Sequence, residues 1–121
     1  MINACQSWED FEELLQNSHT RPVLLLKHSS SCLASARAWR QFKQFAEQEI
    51  HPEYWRVLVI EQRPLSKEIA RRTGVVHESP QVLLFQNGLV IWHASHGRIN
   101  AKALQEGLRS RQKEFPGSGA G

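Results

Sequence analysis

Val23-Leu24-Leu25-Leu26-Lys27-His28-Ser29-Ser30-Ser31-Cys32-Leu33-Ala34-Ser35 is the stretch on which the fold of this chain turns. Val23 to Leu26 is a short, nearly continuous apolar run, the signature of a strand covered on both faces. The three serines read as a turn, and a helix is expected from Leu33 onward. Cys32 therefore falls at a helix N-terminus, where partial positive charge and free backbone N–H donors favour S⁻ over SH and lower the thiol pKa. Ser35 stands where a Cys-x-x-Cys motif would carry its second thiol. One reactive sulfur without that partner implies one-thiol chemistry.

Outward from this stretch the chain alternates strand and helix. On the N-terminal side Ser7 is placed to cap a helix with Trp8, Phe11, Leu14 and Leu15 on its apolar side and Glu9 and Asp10 in the favourable first turn. Arg21-Pro22 ends that unit. On the C-terminal side Leu33, Ala36, Trp39, Phe42, Phe45, Ala46 and Ile50 recur at spacings of three and four, and His51-Pro52 closes the helix. A second buried strand is expected over Val57 to Ile60. Pro64 then opens a short helix through Ile69 to Arg72, which Gly74 is placed to stop. Val82 to Phe85 and Leu89 to Trp92 are joined by Asn87-Gly88, the dipeptide that suits a tight antiparallel hairpin. A last helix, capped at Asn100, puts Ala101, Leu104 and Leu108 inward. The result is an α/β chain in β-α-β-α-β-β-α order, with a central mixed sheet flanked by helices. Residues 1–113 form one domain, and 114–121 read as a tail too poor in apolar surface to hold a fixed form.

Composition narrows the function classes. A chain of 121 residues with 40% hydrophobic composition suits one packed core. The net charge of +3 is modest and its basic residues are dispersed, which argues against a nucleic-acid surface. No apolar run approaches a membrane span, and the first residues carry no signal-like pattern, so a cytoplasmic protein is expected. Two cysteines are too few for a disulfide framework, and a reducing compartment suits a cysteine that must stay free. No sequence feature demands an obligate interface, and a monomer is expected.

A cysteine at the mouth of the long crossover helix, in this element order, is the thioredoxin-like arrangement. Folds of this type set a cis-proline directly before the first hairpin strand, beside the reactive cysteine, and Ser79-Pro80 immediately precedes Val82. A cis X-Pro bond redirects the chain and leaves the backbone of the preceding residue facing outward, so that Ser79 can grip an extended disulfide. Three blocks then carry a more specific resemblance: Lys27-His28-Ser29-x-x-Cys32-x-x-Ser35, His77-Glu78-Ser79-Pro80-Gln81 and Trp92-His93-x-Ser95-His96. In order and spacing they resemble the monothiol bacilliredoxin family over about Trp8 to Leu108. The resemblance implies a thioredoxin-like enzyme that removes bacillithiol from protein cysteines capped with that small thiol. It implies Cys32 as nucleophile, with Ser35 at the resolving position but unable to resolve. Ser31, Ser35 and His28 are the expected supporting residues, and Ser79, Pro80 and His96 the substrate-facing ones. No bound cofactor is expected; bacillithiol is the co-substrate, and bacillithiol-capped client proteins are the partners. The chain departs from the family pattern at Leu33, where proline is usual, and at Gly97, where an aromatic is usual.

His77 and His93 join His28 and His96 as polar groups able to lie near the sulfur or to meet carboxylates of a small anionic thiol, though a histidine on an apolar strand is commonly structural. Lys27 either raises the thiolate population or packs its stem along a sheet edge with its ammonium in water. The buried acid that thioredoxins carry six residues before the cysteine is Leu26 here, in keeping with the missing second thiol. Cys5 is expected to be a spectator. Cys32 with His93 and His96 lacks the second Cys/His pair of a zinc site, so no metal is assigned. Remaining alternatives are a binding or adaptor protein on the same fold, and a glutaredoxin-like monothiol protein using another small thiol or an iron–sulfur cluster. Against the latter, Cys32-Leu33-Ala34-Ser35 lacks both middle residues of Cys-Gly-Phe-Ser.

Overall fold

The computed structural model describes residues 1–114, and side chains through Ser110. In chain order the elements are β1 (Asn3–Ala4), α1 (Trp8–Asn17), β2 (Val23–His28), α2 (Leu33–Gln48), β3 (Glu53–Leu58), α3 (Arg63–Thr73), β4 (Gln81–Gln86), β5 (Leu89–Ser95), a 3-10 turn over His96–Arg98, and α4 (Ala101–Glu114). The five strands lie in the order β1-β3-β2-β4-β5. β1, β3 and β2 run parallel, whereas β4 is antiparallel to β2 and to β5. β2 is thus central, and all six of its residues are buried.

Alternation along the strands divides the interior into two layers. Leu24, Leu26, Tyr54, Val82 and Leu84 pack with Phe42 and Phe45 of α2 and Leu104 of α4. Val23, Leu25, Trp55, Leu83 and Phe85 face the other way, against Phe11 and Leu14 of α1 and Leu65 and Ile69 of α3. Removal of this much apolar surface from water is the main favourable contribution to folding.

Local chemistry sets the element ends. The Ser7 hydroxyl accepts the Asp10 N–H at 3.1 Å, as the capping reading requires. Gly74 ends α3 in the left-handed region at φ 76°. Asn87 and Gly88 turn the hairpin at φ 55° and 79°. Asn100 Oδ1 accepts the Ala103 N–H at 2.9 Å and caps α4. Gly107 is there for space: a Cβ would come within 2.5 Å of the Trp92 ring.

The structure adds to the expected order and shifts parts of it. β1 is an addition, since a two-residue strand carries no periodicity to read, whereas α1 is the helix expected after Ser7. β3 spans Glu53–Leu58 rather than Val57 to Ile60, because pairing with β2 runs from Val23↔Glu53 to His28↔Leu58 and leaves Val59 and Ile60 in the following turn. Leu33 and Ile50, expected on the apolar side of α2, are 91% and 82% exposed. α2 ends at Gln48, so Ile50 lies outside it. α4 runs through Glu114, and the tail reading for the residues after it falls outside the described residues.

Candidate functional site

β2 delivers the chain to the end of the sheet where Ser29 to Ser31 turn it into α2, and Cys32 becomes the N-cap residue at φ −114°, ψ 133°. The thiol is free and exposed. As a thiol the sulfur takes no capping hydrogen bond. As a thiolate it is favoured first by the Ser35 amide, then by the Ala34 amide, with the Ser35 hydroxyl adding to both; these donors hold Cys32 below the ordinary thiol range. The unpaired amides of a helix's first turn supply the donors that the sequence reading expected there.

Ser35 is fully buried. Its hydroxyl also accepts the Ser29 N–H at 3.0 Å, tying the end of β2 to the first turn of α2. The Ser29 and Ser31 hydroxyls lie 3.1 Å apart, and the Ser31 N–H reaches Ser29 Oγ at 3.3 Å. Ser31 and Ser35 thus brace the turn that carries the sulfur. His28 is buried beside it and stacks on Trp39, with ring centroids 5.0 Å apart and planes 8° from parallel. Burial, then the Arg56 charge, pushes its imidazole down to about 4, and its Nε2 is enclosed without a partner. At neutral pH His28 is an uncharged wall.

The Ser79-Pro80 peptide is cis and leads directly into β4, the neighbour of β2. Among the described residues the Ser79 N–H and C=O have no backbone partner. The Pro80 carbonyl accepts the His96 N–H at 2.9 Å. His96, at φ 56°, places Nε2 2.8 Å from Glu78 Oε1. The His96–Arg98 turn also packs against α2, so Cys32's helix, the Pro80 loop and this turn meet at one end of the sheet. A cavity of about 420 Å³ opens beside the His96–Arg98 turn, between Glu78, His93, Ser95, His96, Gly97 and Arg98; Cys32, Ser79 and Pro80 do not line it.

Of the remaining polar residues, His93 shares the cavity lining with His96. His77 and His93 are exposed; burial, then Lys27, lowers the His77 pKa. Lys27 follows neither expectation: it is wholly enclosed and donates to Gln81 Oε1 at 3.1 Å. It is also absent from the groups that shift Cys32. Cys5 is 1% exposed, and burial followed by the Asp10 charge pushes its thiol up to about 12. Among the described residues no three His, Cys, Asp or Glu side chains gather as a metal-holding group, and no helix is long and apolar enough to cross a membrane. Sequence reasoning missed Gln81 and Arg98. The Gln81 position beside Pro80 was a signal for the first, whereas Arg98 had none.

Comparison with known proteins agrees with this geometry. Residues 3–104 match the family model described as monothiol bacilliredoxin BrxC. A thioredoxin-fold protein proposed to be an oxidoreductase is 34% identical, with a TM-score of 0.82 over 88% of this chain and 93% of its own. Thioredoxin from Trypanosoma brucei brucei is 14% identical with a TM-score of 0.76, covering 93% of this chain and 92% of its own. Thioredoxin from Fasciola hepatica is 15% identical with a TM-score of 0.75, covering 89% and 97%. The fold is that of thioredoxin, and the family and the first of these neighbours support a role in thiol redox chemistry.

Proposed function

The chain belongs to the monothiol bacilliredoxin family, and from that premise we propose that Cys32 removes bacillithiol from protein mixed disulfides. The Cys32 thiolate attacks the bacillithiol sulfur of a protein–S–S–bacillithiol bond. A Cys32–bacillithiol disulfide forms as the protein sulfur leaves as thiolate and takes a proton from water. A second bacillithiol thiolate then attacks the bacillithiol sulfur on Cys32, giving bacillithiol disulfide and restoring the Cys32 thiolate. Attack is fastest when the thiol pKa lies near ambient pH, because nucleophilicity falls as acidity rises.

The observation that carries this reading is one exposed, acidified sulfur with a buried serine at the resolving position. The other cysteine is enclosed and strongly protonated. That arrangement favours exchange with a small thiol over two-thiol reduction of a protein disulfide. The unpaired backbone of Ser79 suits an extended disulfide partner. The cavity beside His96 suits the anionic body of the small thiol, since among the described residues Arg98 joins no ion pair there. The partners are then bacillithiol-capped client proteins and free bacillithiol. The protein acts as a monomer without a bound cofactor, and a reducing cytoplasm suits it.

The test is to incubate the protein with the oxidised forms of bacillithiol, glutathione and coenzyme A and weigh the intact adducts, with Cys32→Ser as control. A bacillithiol adduct that forms in preference to the others and vanishes in Cys32→Ser is the expected result. An adduct that persists in Cys32→Ser, or equal capture of all three thiols, overturns the assignment.

A further inference from the structure

The mechanism leaves a buried charge unused. Lys27 is 0% exposed at the end of the central strand, and so is its partner Gln81. Placing an ammonium there is costly unless it is paired. Desolvation pushes it down to about 8, with Glu78 acting in the opposite sense, so it remains charged at pH 7. Among the described residues its ammonium donates to Gln81 Oε1 at 3.1 Å. Gln81 spends its amide in two further directions, donating to the Val76 carbonyl at 3.0 Å and to Ser95 Oγ at 3.4 Å.

These contacts fall on one line across the sheet. Lys27 of β2 lies opposite Gln81 of β4, and Gln81 lies opposite Ser95 of β5. Gln81 directly follows Pro80, and Val76 begins the segment that leads to Ser79. The Lys27–Gln81 link therefore ties both ends of the Val76–Pro80 loop to the central strand. Lys27 is not among the groups that shift Cys32, whereas its hydrogen bond reaches the residue that anchors the loop.

We propose that Lys27 is a positioning residue: through Gln81 its enclosed ammonium fixes the Val76–Pro80 loop so that Ser79 presents its backbone to the mixed disulfide. The substrate part rests on the function proposed above; the loop part does not. In Lys27→Met, folded by circular dichroism, backbone NMR order parameters at Val76 to Ser79 should fall from the rigid range of about 0.85 to below about 0.6. KM for a single-cysteine protein carrying bacillithiol should rise about fivefold with kcat within about twofold. The pH profile of Cys32 alkylation by iodoacetamide should superimpose on that of the wild type. Unchanged loop order parameters, unchanged KM, or a displaced alkylation profile would each overturn the proposal. If Lys27→Met does not fold, Gln81→Met cuts the same link from the loop side and is judged by the same outcomes. A wild-type protein that leaves bacillithiol on that substrate contradicts the proposed function, and the order parameters then decide the role of Lys27 alone.

Discussion

The Ser35 hydroxyl accepts the Ser29 N–H at 3.0 Å, so the residue at the resolving position closes the turn that holds the nucleophile. A buried N–H left unpaired costs about 1–3 kcal/mol. Ser35→Ala should therefore lower stability by about that amount, read from urea unfolding. The Cys32 alkylation profile should move only slightly to higher pH, because the larger contributions come from the Ser35 and Ala34 amides, which the substitution keeps. A large alkaline displacement would transfer the dominant role to the hydroxyl.

His28 predicts a pH dependence of stability. Its pKa is lowered from 6.5 to about 4 in the folded protein, so between those values the unfolded chain binds the extra proton. The stability this group contributes is present above about pH 6.5 and is lost as pH falls toward 4; the loss approaches about 3 kcal/mol. His28→Phe keeps an aromatic ring against Trp39 and removes the titration. Denaturant unfolding at pH 7 and pH 4.5 should show a smaller acid loss in the variant, and parallel losses would refute the link.

Much of this architecture could be read before any coordinates, for reasons that differ by residue. The run Val23 to Leu26, the Asn87-Gly88 turn and the stop at Gly74 each rest on local chemistry that no distant contact overrides. The start of β3 was hidden because Glu53 and Arg56 interrupt its apolar pattern, and only pairing with β2 extends it. Lys27 was illegible for a stronger reason. A strand lysine ordinarily carries its ammonium to water, and what this one pairs with instead is Gln81, 54 residues later. Cys32 and Ser79-Pro80 were visible as motif residues, whereas the Glu78–His96 contact joins residues 18 apart and had no local signal.

Cys5 gives a dependence in the alkaline range. Burial raises its pKa from 9.0 to about 12, so the folded protein holds a proton that the unfolded chain releases. The stability involved is fully present below pH 9 and is lost as pH rises toward 12, at about 1.4 kcal/mol per pH unit within that window. Cys5→Ala should flatten the decline in unfolding free energy between pH 9 and 10.5. Native-state alkylation at pH 8, read by intact mass, should label Cys32 alone. Labelling of Cys5 at a comparable rate would contradict its enclosure.

Leu33 offers a way to separate helix initiation from thiol acidity. It is the first residue of α2 and 91% exposed, so its side chain contributes little packing. Proline is favoured at this position because its φ suits the helix and its missing N–H has no intrahelical use. It also restricts the preceding residue to extended backbone, and Cys32 already holds φ −114°, ψ 133°. The donors that acidify the sulfur are Ser35 and Ala34, so losing the Leu33 N–H removes none of them. Leu33→Pro should therefore stabilise the protein by about 0.4–1 kcal/mol, chiefly by restricting the unfolded chain, while the Cys32 alkylation profile stays in place. A stability gain accompanied by a large change in that profile would mean that the residue after the cysteine tunes the sulfur directly.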